Sequence, residues 1–123
     1  MLPITSHLAV AAAIALVTLS FAVSLRRMKV GVEVGLGDDV GLLRRVRAQG
    51  NFIEYVPLVL LLSGLAEYRG AGPAWLLTVV GLIVLGRASH AVGMLRGSMP
   101  LRAVGMLATY GAILAGAGAV AFG

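Results

Sequence analysis

LPITSHLAVAAAIALVTLSFAVSL, residues Leu2 to Leu25, contains no charged side chain unless His7 is protonated. A helix needs about 20 consecutive apolar residues to cross the hydrocarbon of a bilayer. This run meets that length, and it ends abruptly at Arg26, Arg27 and Lys29. A cleaved secretory signal would place basic residues before a shorter apolar run. Here the basic residues follow it, so the segment reads as a retained first span.

The rest of the chain has the same character. Of 123 residues, 59% are apolar and 12% are charged, where a soluble domain carries about 25% charged residues. The mean hydropathy of +0.98 also points to lipid as the solvent. At this length four spans with short connections use almost the whole chain, leaving one membrane domain over residues 1–123 and no room for a soluble one. The absence of cysteine excludes disulfides and thiolate metal sites. Two histidines, His7 and His90, are too few to suggest a metal centre. The net charge of +5 does not indicate nucleic acid, because the basic residues sit between apolar runs, where they act as topology signals.

The spans predicted from these runs are 3–25, 43–67, 74–95 and 101–122, an all-α bundle of four transmembrane helices. The first connection, Val30 to Leu42, contains Gly31, Gly35, Gly37, Asp38, Asp39 and Gly41 and reads as loop. Pro57 falls inside span two, where a kink is expected rather than a break. Gly70, Gly72 and Pro73 make the second connection a tight turn. Arg96 to Pro100 forms the third. Basic residues concentrate around connections one and three: Arg26, Arg27, Lys29, Arg44, Arg45 and Arg47 at one, Arg96 and Arg102 at the other. Lys and Arg favour the cytoplasmic side. Both termini are therefore expected on the non-cytoplasmic face of a multi-pass protein, of bacterial inner-membrane type. Spans three and four are rich in glycine, which lets membrane helices approach closely.

The polar residues that interrupt the spans are the informative ones, because an ionisable group at membrane depth costs several kcal/mol unless paired or hydrated. In span two, Arg44, Arg47, Asn51 and Glu54 recur at steps of three and four and share one face. In span three, Arg87 and His90 share a face that continues to Met94. Glu54 and Arg87 lie at similar depths, so an ion pair between them is expected, either as a purely structural lock or as part of a site. Alone, His90 reads as a hydrogen-bonded packing residue, while Tyr55 and Tyr110 fit either a site or an interfacial belt. The arginines outnumber the available acids. Arg44, Arg45 and Arg96 suit lipid headgroups. Arg47 and Arg102 suit a site for an anion such as a carboxylate.

Arg47-Ala48-Gln49-Gly50-Asn51-Phe52-Ile53-Glu54-Tyr55-Val56-Pro57 resembles the second-helix signature of the MAPEG family, the membrane-associated proteins in eicosanoid and glutathione metabolism. Gly86-Arg87-Ala88-Ser89-His90 resembles the G-R-x-x-H of its prostaglandin synthase branch. Pro100-Leu101-Arg102 resembles the P-x-R that opens the family's fourth helix, with one residue fewer between Met94 and Pro100. The likeness covers essentially the whole chain. It implies a homotrimer of four-helix subunits with glutathione, as co-substrate, bound between neighbours near the cytoplasmic face. Arg47, Gln49, Asn51, Glu54, Tyr55, Arg87 and His90 would hold it, with Arg26 and Lys29 reaching its glycine carboxylate. Arg102 matches the arginine credited with stabilising the thiolate. A cation beside a thiol raises its reactive fraction. The sequence departs from the pattern at Met94, where family enzymes often place a tyrosine.

The function implied is a glutathione-dependent transferase or peroxidase acting on a lipophilic small molecule that enters from membrane lipid. The rival from the same family is a protein that binds lipid or glutathione without turnover. A small multidrug transporter of similar size would need a carboxylate in its first span, and Leu2 to Leu25 has none. The charge pattern yields a direct test of topology. Alkaline phosphatase fused after Gly123 should be active in a bacterial host, and green fluorescent protein at the same point should be dark; the opposite result would reverse the assigned orientation.

Overall fold

The computed structural model describes all 123 residues as four helices. Helix α1 spans Pro3–Val30, α2 Val40–Tyr68, α3 Pro73–Arg96 and α4 Met99–Phe122. By length and apolarity α1, α3 and α4 qualify as membrane spans. The fourth predicted span, α2, is long enough at 29 residues, but Arg44, Arg45, Arg47 and Glu54 load its first half with charge. It is also the helix most surrounded by the others, burying Leu42, Ala48, Asn51, Phe52, Val56, Val59, Ser63 and Ala66.

The helix ends follow local chemistry. Pro3 and Pro73 stand in the first turns of α1 and α3, where the missing N–H costs nothing. Asp39 caps α2 by accepting the Leu42 N–H at 2.7 Å. Ser98 caps α4 through the Leu101 N–H at 3.4 Å. Gly31 and Gly97 end α1 and α3 with φ 73°, a left-handed conformation that glycine adopts without steric cost. The first connection is therefore shorter than the sequence suggested. Arg26, Arg27 and Lys29 continue α1 beyond Leu25, where cations suit the carbonyl end of a helix. The Asp39 cap starts α2 before Leu43. Pro57 lies within α2 without interrupting it.

Helices α3 and α4 form the most intimate pair, and α2 packs against both. A Cβ on Gly93 would stand 2.6 Å from the Arg102 amide nitrogen, and one on Gly105 would stand 2.5 Å from the His90 amide nitrogen. A Cβ on Gly86 would meet the Gly105 carbonyl at 2.9 Å. The two backbones thus touch at three levels, the close approach small residues permit. Ser89 adds a hydrogen bond from its hydroxyl to the Leu101 carbonyl at 2.8 Å.

Helix α1 lies against α2 and meets α3 only marginally. Polar ties fasten it at three levels. At its start, Glu67 accepts the Ile4 and Thr5 N–H groups at 3.0 and 2.8 Å, capping α1 from a neighbouring helix. Midway, Gln49 donates to the Ser20 hydroxyl at 2.9 Å. At its end, Arg26 grips Asp39 through Nε and Nη2 at 2.8 and 2.9 Å. The Arg26 guanidinium, followed by the Leu42 N–H, holds the Asp39 carboxyl at about 2, below the usual carboxylate range.

If backbone contact at Gly105 sets the α3–α4 distance, Gly105→Ala should destabilise the protein by about 1–3 kcal/mol, as overpacking does. Gly81→Ala, where nothing lies within 4 Å of the added carbon, should be neutral. Thermal unfolding in one detergent compares the two, and equal midpoints would contradict the packing.

Candidate functional site

The polar face of α2 opens onto α3 and α4. Arg47, Asn51, Glu54 and Tyr55 from α2, His90 and Met94 from α3, and Met99, Arg102, Ala103, Met106 and Tyr110 from α4 line one cavity of about 360 Å³. The helical period explains each contribution. Arg47, Asn51 and Glu54 repeat along one stripe of α2, His90 and Met94 are one turn apart, and Arg102, Met106 and Tyr110 are successive turns of α4.

The electrostatics are lopsided. Arg47 and Arg102 face the cavity with a single carboxylate, Glu54. Arg47 Nη2 stands 3.7 Å from Glu54 Oε1, and both side chains are 51% exposed, so the pair contributes little stability. The buried Asn51 Oδ1 has no hydrogen-bond partner. The Tyr55 and Tyr110 rings meet edge to face at 5.9 Å and line the same cavity. Such a set fits a molecule with more than one anionic group and a donor group, bound where water and lipid both reach.

The expected Glu54–Arg87 ion pair is not formed. The two ion pairs of the structure are Arg26–Asp39 and Arg47–Glu54. Arg87 instead turns across the bundle. Its guanidinium donates to the Thr109 hydroxyl at 3.3 Å and lies 3.4 Å from His90 Nδ1 and 5.9 Å from the centre of the Phe52 ring. Its Nε is buried without a partner. The reason is direction: Glu54 faces the mouth of the cavity while Arg87 packs between α2 and α4. Arg87 contributes to the wall of a different space, an apolar groove of about 380 Å³ between α1, α2 and α3.

Six of the sequence-derived candidates therefore share the cavity: Arg47, Asn51, Glu54, Tyr55, His90 and Arg102. Four do not. Arg87 reaches it only through His90. Gln49 and Arg26 are engaged by Ser20 and Asp39. Lys29 is exposed at the end of α1. Met99 and Met106 line the cavity without having been singled out in the sequence. Met106 was within reach, since it follows Arg102 by one turn.

Four antiparallel helices with an arginine-bearing polar cavity at one end and an apolar outer surface define a small multi-pass membrane protein. The chain belongs to the MAPEG family, whose model matches residues 5–122. Its relatives include the inner membrane protein YecN of Escherichia coli K12, 35% identical over 107 residues, covering 86% of this chain and 81% of the relative. The inner membrane protein YecN of Escherichia coli O6:H1 matches to the same extent. No solved structure matches.

The isolated position of Arg87 makes its own prediction. A buried charge without an opposite charge is a net cost that an apolar side chain of similar size removes. Arg87→Met should leave the thermal midpoint unchanged or raise it; a drop of several degrees would show that the Thr109, His90 and Phe52 contacts outweigh the desolvation.

Proposed function

We propose that this protein is a glutathione-dependent integral membrane transferase or peroxidase acting on lipophilic electrophiles in the bacterial inner membrane. The observation that carries the reading is the cavity itself: Arg47 and Arg102 converge from α2 and α4 with one carboxylate between them, at the end of an otherwise apolar bundle. Glutathione has two carboxylates, one ammonium and a thiol. Arg47 matches a carboxylate, Glu54 and the unpartnered Asn51 Oδ1 match donor groups, and Arg102 matches the sulfur. Family membership supports the same ligand class.

Arg102 acts as a fixed cation beside the sulfur, which favours the thiolate at neutral pH. Asn51, Glu54 and Tyr55 orient the peptide, and His90 lines the wall opposite α2. With an aryl halide, the sulfur–carbon bond forms, the carbon–halogen bond breaks, halide leaves, and the thiol proton passes to water. With a lipid hydroperoxide, two glutathione molecules reduce one peroxide to the alcohol and water, leaving glutathione disulfide. Arg26, Lys29 and Gln49 lie outside the cavity within one chain. They reach the ligand only where a neighbouring copy sets its α1, together with the Gln49 side of its α2, against this face, as in a homotrimer with glutathione between subunits.

Protein purified in detergent should bind glutathione by calorimetry and conjugate it to chlorodinitrobenzene above background. Arg102→Ala should lower kcat by about 10²–10³-fold, the loss expected for one preorganised charge-stabilising donor. No binding by the natural sequence would overturn the proposal. Binding without turnover would establish the second reading, a non-catalytic protein that binds lipid or glutathione; Met94, at the position where family enzymes often place a tyrosine, favours that outcome.

A further inference from the structure

The apolar part of the cavity has an unusual composition for this chain. Apart from its tyrosines, it consists of Met94, Met99, Met106 and Ala103, with no leucine, isoleucine or valine. The two other large spaces are lined by leucine, valine and alanine, with isoleucine in each, and contain no methionine. Three of the protein's five methionines therefore gather where the polar groups are. They come from different places in the chain: the last turn of α3, the first residue of α4 and the turn of α4 that follows Arg102. Met94 follows His90 by four residues and Met106 follows Arg102 by four, so each lies one turn from a polar group of the cavity. Met99 is 67% exposed at the helix end, at the rim through which an apolar molecule would enter.

Methionine is unbranched, with several rotatable bonds and a polarizable sulfur that makes favourable contacts with aromatic rings. A wall of such side chains repacks around differently shaped guests, where β-branched residues would present one fixed surface. We infer that Met94, Met99 and Met106 form the seat of the second reactant, and that they give the site a broad tolerance for soft aromatic or conjugated apolar groups held next to Arg102. The inference rests on the reading of this cavity as a thiol site. It adds the residues that meet the acceptor and the breadth of its specificity.

Glutathione conjugates already carrying an apolar group on sulfur report this wall without turnover. Calorimetry in detergent with glutathione, S-hexylglutathione and S-(4-nitrobenzyl)glutathione is the test. Each conjugate should bind the natural sequence about tenfold or more tighter than glutathione, as the buried apolar carbon requires. The triple variant Met94→Leu/Met99→Leu/Met106→Leu should keep most of that gain. Met94→Ile/Met99→Ile/Met106→Ile should hold glutathione within about twofold yet lose most of the gain for the bulkier nitrobenzyl group, because its stiff side chains cannot repack. Should the triple isoleucine variant aggregate on size exclusion, Met99→Ile at the exposed rim carries the same expectation at about threefold. Equal gains in all three proteins, or no gain in the natural one, would overturn the inference while leaving the thiol site standing. Failure of the natural sequence to bind any of the three ligands would remove the thiol reading and this inference together.

Discussion

Backbone contact between α3 and α4 is the constraint on which the rest of the molecule depends. Gly93 and Gly105 stand where a methyl group would strike the amide nitrogens of Arg102 and His90. Because no side chain separates the helices there, the two polar residues face the same space from adjacent backbones. A wider pair would put an apolar layer between them. The packing and the chemistry are thus one arrangement: the same glycines that replace a hydrophobic driving force with close van der Waals contact also draw the cavity wall together.

Against that pair, α2 serves as the polar partner. Arg47, Asn51 and Glu54 follow one stripe of the helix, and that stripe meets the cavity formed with α3 and α4, while Glu67 turns the other way to cap α1. Arg47 and Glu54 are half exposed at the cavity mouth, which lessens the desolvation cost a fully buried ion would carry. The surplus of arginine over carboxylate leaves the cavity electropositive. Arg87 belongs to a different economy, held by a hydroxyl, an imidazole and an aromatic face. None of these neutralises its charge.

Helix α1 stands apart. It is nearly all apolar, yet polar groups tie it to α2 at both ends and in the middle. In lipid, an apolar helix gains little from burying its surface against another, so directional hydrogen bonds and a charged pair carry much of the attachment. Two of the residues the family likeness assigns to ligand, Arg26 and Gln49, are occupied in these ties.

Much of this was legible in the sequence because it concerns properties read along one helix at a time. The long uncharged run Leu2–Leu25 and the low charge content determined the solvent. Periodicity placed Arg47, Asn51 and Glu54 on one stripe and His90 one turn from Met94. Local chemistry at Asp39, Gly31, Gly72 and Gly97 set the helix ends within a few residues, and family motifs picked out Arg102. What the tertiary structure alone decided is how side chains of different helices meet. Similar depth suggested Glu54 beside Arg87, but depth leaves rotation about the helix axis open, and rotation turns Arg87 toward Thr109 and Glu54 toward the mouth. The same unknown hid the gathering of Met94, Met99 and Met106, three residues on two helices whose common wall exists only once glycine has brought those helices into contact.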